Sequence, residues 1–264
     1  MKSMIAAMLL AATSLFGQVT DYRDVKTPPL RNFNPPVAKR IQLDNGLVIF
    51  LMEDHELPLI RGSAEIRGGA RDLPAAKAGM MGIYGSAWRT GGTKDKTGDQ
   101  LDELLESRAA RIETGGGDDA TSIRLDVLKN DFDFVFPIWL DLLRNPEFRQ
   151  AKIDLAKTQA NTGISRRNDN PQGILIRETQ KLGYGNDSPY VRQPEYATIA
   201  TITRDDLLAF HDQYVHPNNM ILGISGDFDS NAMEKKLRDA FGKWAKGPQA
   251  PPPPPVGTGM KPGI

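Results

Sequence analysis

Alternating apolar and polar positions predict strands at both ends of a largely helical middle. Residues 41–43 and 47–52 flank Asp44-Asn45-Gly46, and this Asn-Gly turn is expected to fold the two runs into a hairpin. A third strand is expected over 59–66, closed by Gly68-Gly69. Helical spacing then takes over. Met80, Met81, Tyr84, Ala87 and Trp88 mark a helix over 75–89. Thr97, with Gln100 three residues on, reads as a capping box opening a helix over 97–111, whose buried stripe is Leu101, Leu104 and Leu105.

Residues 120–128 alternate as a strand, with Ile123, Leu125 and Val127 on one face. Helices follow at 131–144, 148–167 and 171–182, the last two separated by Asn168-Asp169-Asn170-Pro171. Thr203 and Asp206 form a second capping-box pattern, opening a helix to Tyr214. A short apolar strand at 220–225 precedes a last helix ending near Trp244. Strands and long helices mix without a strict alternating beat. The expected fold class is α+β, a mixed, largely antiparallel sheet covered by helices on one face.

Both ends of the chain differ from this pattern. Met1-Lys2, the apolar run 4–16 and the small residues Ser14 and Gly17 have the layout of a secretory signal peptide over 1–18, too short to span a membrane. That implies export to the periplasm or outside the cell. Residues 19–38, with Pro28-Pro29 and Pro35-Pro36, read as an extended arm ahead of a domain over 39–246. Residues 247–264 carry Pro251 to Pro255 in succession and four glycines, a polyproline-type linker expected to lead to a second domain absent from this chain, or a disordered tail.

Composition narrows the chemistry more than it suggests any. Thirty-three basic residues balance thirty-three acidic ones, so no bias toward nucleic acid is expected. There is no cysteine, which excludes disulfides, thiolate metal ligands and a cysteine nucleophile. Only His55, His211 and His216 could supply imidazole. The last two are five residues apart, a spacing that does not share a helix face, and surface or packing roles are expected for them. His55 lies between Asp54 and Glu56 and is expected in an exposed polar loop. Gly115-Gly116-Gly117 is the one dense glycine cluster; with no helix opening behind it, a loop or sheet-edge break is expected rather than a phosphate cradle.

Over residues 39–246 the order of several phrases resembles the N-terminal half of the insulinase/pitrilysin metallopeptidases. That group includes mitochondrial processing peptidase and the core subunits of respiratory bc complexes. The phrases are Leu43-Asp44-Asn45-Gly46-Leu47, Arg67-Gly68-Gly69-Ala70-Arg71-Asp72, residues 79–93, Asn168-Asp169-Asn170-Pro171, and residues 214–226 with Pro217-Asn218-Asn219-Met220. The resemblance implies a helix bearing His-x-x-Glu-His, two imidazoles for zinc and a general-base glutamate, with a further glutamate ligand on a later helix. Those positions fall here on Gly82, Gly85, Ser86 and Gly163. No catalytic residue, metal ligand or cofactor is therefore expected in this chain.

The implied role is a non-catalytic subunit, pairing with an exported zinc peptidase that carries the intact motif and holds the zinc. Two alternatives stay open: a structural or assembly subunit without proteolysis, and an active peptidase with unconventional ligands. Close packing of the two glycine-bearing helices, leaving no metal-sized polar cavity, is expected to offset the cost of Gly79, Gly82 and Gly85 inside a helix. The resemblance also implies that a peptide substrate adds as a strand to a sheet edge, at the stretch Gly115, Gly116, Gly117, Asp118, Asp119, Ala120 and Thr121.

Overall fold

Strand β1 (Lys39–Gln42) and β2 (Val48–Glu53) form the expected hairpin in a computed structural model that describes residues 21–25 and 35–252. The expected signal peptide over 1–18 lies outside the described residues, as does most of the arm and of the linker. The chain divides into two units at Pro36. Of the first, the structure describes a single 3-10 turn at Tyr22–Asp24, where the Asp21 carboxylate accepts the Arg23 amide.

The second unit holds a six-stranded sheet. Its order is β1-β2-β6-β3-β5-β4, with β3 at Leu59–Arg67, β4 at Arg111–Gly116, β5 at Ala120–Leu128 and β6 at Met220–Gly226. Only β2 and β6 run parallel; the other four pairings are antiparallel. One face buries Ile49, Leu51, Ile60, Ile66, Ile123, Leu125, Val127, Leu222 and Ile224. The alternate positions, such as Arg61, Glu65 and Arg124, are exposed, so the sheet is covered on one side as its period-2 pattern dictates.

Eight α-helices occur among the described residues: α1 (Met80–Thr90), α2 (Gly98–Glu106), α3 (Phe132–Arg144), α4 (Gln150–Ser165), α5 (Pro171–Tyr184), α6 (Tyr196–Thr201), α7 (Arg204–Tyr214) and α8 (Ser230–Phe241). Both capping boxes form: Thr97 Oγ1 accepts from Gln100 N, and Thr203 Oγ1 accepts from Asp206 N. The mixed α+β class is as expected.

Several boundaries differ. Helix α2 stops at Glu106, and Ala109, at φ 49°, turns the chain so that Arg111 opens β4. From the pattern alone that strand was expected as a helix end followed by a loop or sheet-edge break, because Thr114-Gly115-Gly116 gives no alternation to read; only the resemblance implied a sheet edge from Gly115 on. Residues 75–77 form a separate 3-10 turn, and α1 itself starts at Met80. Gly247 to Ala250, counted with the linker in the sequence reading, are hydrogen-bonded to the body. Asn218 pairs with Gly247 through both its amide N and O, and Asn219 does the same with Pro248 O and Ala250 N.

Candidate functional site

Helix α1 presents two different faces. Met80, Met81, Ile83, Tyr84, Ala87 and Trp88 are buried in the core, whereas Gly82 and Ser86, one turn apart, are exposed. Gly79 caps the helix at φ 93°, a left-handed conformation that glycine adopts without strain. Across from Gly82 and Ser86 stands Gly163 of α4. Together with Gly116, Gly117, Gln159 and Arg192 they line a cavity of about 700 Å³.

The two glycine-bearing helices pack against one another, but not through Gly82 and Gly163, where the close contact was expected. A Cβ at Gly82 or Gly163 would find no heavy atom within 4 Å. Gly79 is a cap rather than an interior residue, so it carries no helix-interior penalty. Of the glycines inside these two helices, only Gly85 sits at a tight approach, and its neighbour is a strand: a Cβ there would lie 2.5 Å from Gly116 N and 3.0 Å from the Gly115 carbonyl carbon. Thr114 Oγ1 closes this contact by donating to Gly85 O at 2.6 Å.

Zinc does not fit these residues. A protein zinc site takes three or four nitrogen, sulfur or carboxylate donors, and the four positions offer one hydroxyl, on Ser86. Among the described residues no group of three His, Cys, Asp or Glu is placed to hold a metal ion. His211 stands elsewhere, buried on the packed side of α1, its Nδ1 2.8 Å from the Tyr84 hydroxyl. Burial pushes its pKa down from 6.5 to about 3, so it is neutral at physiological pH. His55 is exposed as expected but not free. It bridges Asp227 and Glu53, and those two hydrogen bonds, Asp227's first, raise its pKa.

The stretch from Gly115 to Thr121 is split by the hairpin it forms. Gly115 and Gly116 end β4, an outer strand; Gly117, Asp118 and Asp119 make the turn; Ala120 and Thr121 open β5, which pairs with β3 and β4 on its two sides. Ala120 and Thr121 are therefore not at an edge, correcting the sequence reading. Thr121 is 1% exposed and sits opposite both Ile66 and Gly116. Gly117 N donates to Ala120 O, so by alternation Ile112, Thr114 and Gly116 turn their peptide groups away from β5. Arg89 Nε occupies the Ile112 carbonyl, while among the described residues Thr114 and Gly116 have no backbone partner on that side.

The turn itself is fixed. Gly68, Ala70 and Arg71 amides donate to the carbonyls of Asp119, Gly117 and Asp118 at 3.0–3.2 Å. Arg71 and the Tyr190 hydroxyl both bond Asp119. Asp118 faces the cavity, and desolvation, with Asp119's charge second, raises its carboxyl pKa. Arg192 reaches Leu73 O with one guanidinium nitrogen at 2.5 Å. Sequence reasoning did not find Arg71, Gln159, Tyr190 or Arg192. Tyr190 lies 71 residues from its Asp119 partner, a separation that leaves no local signal.

The six-stranded mixed sheet with helices on one face is a fold shared with M16-type peptidase domains of known structure. A family model described as the peptidase M16 inactive domain matches residues 201–262. An uncharacterized zinc protease of Mycobacterium leprae is 23% identical over 221 residues, 81% of this chain and 48% of that protein. One from Rickettsia bellii is 23% identical over 158 residues, 59% of this chain and 38% of its own length.

Among solved structures, the peptidase M16 inactive domain from Pseudomonas fluorescens superposes with a TM-score of 0.72 at 19% identity, covering 81% of this chain and 52% of that one. The first half of the periplasmic protease PqqL from Escherichia coli gives 0.73 at 20% identity, covering 85% and 50%. The resemblance to the insulinase/pitrilysin (M16) peptidases read in the sequence is thereby shown, and the chain spans about half the length of these relatives or less. No helix among the described residues is long and apolar enough to cross a membrane.

Proposed function

We propose that this chain is a non-catalytic M16-type domain, exported, that holds an extended peptide and works beside a zinc-bearing peptidase subunit. The observation that carries the reading is the cavity between α1 and α4, walled by Gly82, Ser86 and Gly163, where Asp118 is the single carboxylate in the lining and no histidine or second carboxylate joins it to hold a metal. Zinc peptidase chemistry needs a held metal, an open water position and a carboxylate to take the proton. Peptide holding needs none of these. Strand addition uses backbone groups, and Thr114 and Gly116 present them at the outer edge of β4. Export is supported by the apolar run 4–16 and by the likeness to a periplasmic protease half. The zinc-bearing partner is the inference that follows from pairing a half without ligands with relatives named as uncharacterized zinc proteases.

The test has a chemical arm and a binding arm. The purified chain is expected to hold no stoichiometric zinc and to cleave no peptide alone. One equivalent of zinc by elemental analysis, lost together with activity on chelation, would overturn the reading in favour of unconventional ligands. Thr114→Pro removes one outward amide at an edge position that tolerates proline, and it should weaken binding of an extended peptide. Thr114→Val controls for the lost hydroxyl contact with Gly85. If the proline variant binds as well as the parent, β4 is not the binding strand and the domain acts as a structural wall. Co-purification with a subunit bearing intact His-x-x-Glu-His is expected; its absence favours the assembly role.

A further inference from the structure

We infer that His55 is a protonation-dependent clasp: it holds the loop between β2 and β3 while its ring is doubly protonated and releases that loop when the ring loses a proton.

The ring bridges two carboxylates. Nδ1 faces Asp227 Oδ1, and Nε2 lies 2.8 Å from Glu53 Oε1. An ionised carboxylate only accepts hydrogen bonds, and a neutral imidazole carries one N–H. Both contacts are therefore made together by the imidazolium and not by the neutral ring. The carboxylates are anchored independently of it. Glu53 Oε2 accepts from the amide and the hydroxyl of Ser230, the first residue of α8. Asp227, in the turn between β6 and α8, accepts from Lys129 Nζ at 2.8 Å. These bonds, Ser230's to Glu53 and Lys129's to Asp227 first among them, lower both carboxyl pKa values, so both acids stay charged opposite the ring.

Little else holds the loop. Residues 54–57 are exposed. Asp54 N donates to Gly226 O at one end, and Lys129 N donates to Pro58 O at the other. Between them Glu56 N turns back onto its own neighbour Asp54, and the amides of His55 and Leu57 have no partner among the described residues. Among those residues, the His55 ring makes the one side-chain bond from 54–57 to another element. The other charges nearby do not bond the ring: Asp54 and Glu56 on the loop and Arg61 of β3, which together line a cavity of about 290 Å³, and Asp229, which caps α8.

Loss of one proton turns a ring lone pair toward a carboxylate, and that contact changes from attraction to repulsion. Because the two bonds raise the folded pKa above the ordinary 6.5, the clasp is complete below pH 6.5 and is lost as pH rises through the folded value. The direction is opposite to that of His211.

The experiment follows the full chain by NMR from pH 5.5 to 9. The His55 ring, assigned by its absence in His55→Gln, should titrate above 6.5 with both nitrogens protonated below its midpoint. The heteronuclear NOE of residues 55–57 should fall with that same midpoint. His55→Gln should give a low NOE at every pH, whereas His55→Arg, charged throughout, should keep it high. Asp227→Asn should lower the ring midpoint. A midpoint at or below 6.5 overturns the clasp. A loop NOE that ignores the ring's titration, or that stays high in His55→Gln, overturns it as well.

Discussion

On one side of α1, Tyr84 and Trp88 pack at ring distances of 4.9–6.2 Å into a group with Phe148, Phe210 and His211, and every member is nearly or fully buried. Trp88 Nε1 also donates to Leu142 O at 2.7 Å. On the other side, Gly82 and Ser86 face about 700 Å³ of open space. One helix thus serves two opposite ends: a face whose volume is fully specified, and a face defined by what is missing. Packing fixes the first. The second is free to change chemistry without unfolding the domain, so a peptidase-type scaffold can lose its metal ligands and remain folded.

Trp88→Ala should break the packed face most severely. Removing a fully buried indole and its hydrogen bond costs about 3–5 kcal/mol, read as a fall in the urea midpoint at unchanged slope. Acid attacks the same face through His211. Its pKa is about 3 when folded and near 6.5 when unfolded, so the unfolded state binds the extra proton between those values. The sign follows: this contribution is intact above pH 6.5 and is lost as pH falls toward 3. The loss is about 2 kcal/mol by pH 5. Urea unfolding from pH 7 to 5 should show it, and His211→Gln should flatten the slope.

Glycine replacements compare the faces directly. Gly85→Ala should cost about 1–3 kcal/mol, because its Cβ would crowd the backbone of Gly116. Gly163→Ala should act in the opposite direction, stabilising by about 0.5–1 kcal/mol through helix propensity alone. Thermal unfolding of the two variants side by side decides it. If Gly163→Ala destabilises as Gly85→Ala does, the cavity wall is packed and the contrast between the faces fails.

Much of the fold was legible from local pattern. The hairpin at Asn45-Gly46, the two capping boxes and the alternation of β3 and β5 each follow from residues a few positions apart. The position of β6 was not. It enters between β2 and β3, parallel to one and antiparallel to the other, and a seven-residue apolar strand fits many registers. β4 was missed because Thr114-Gly115-Gly116 carries no periodic signal, and Ala120 and Thr121 were assigned to the edge because the resemblance implied one edge stretch over 115–121, with no sign of the turn that divides it.

For the site, the sequence by itself determined the absence of chemistry. No imidazole or carboxylate stands at the four metal-site positions, and no histidine lies between His55 and His211 to supply one. Only the tertiary structure decided what that absence means. A glycine has no side chain to report its surroundings, so a contact and a vacancy read alike along the chain. At Gly85 the glycine admits the backbone of β4; at Gly82, between the buried Met81 and Ile83, and at Gly163 it opens onto a cavity. Residue identity is local, whereas the space around a residue is set by elements that meet from 30 to 80 positions away.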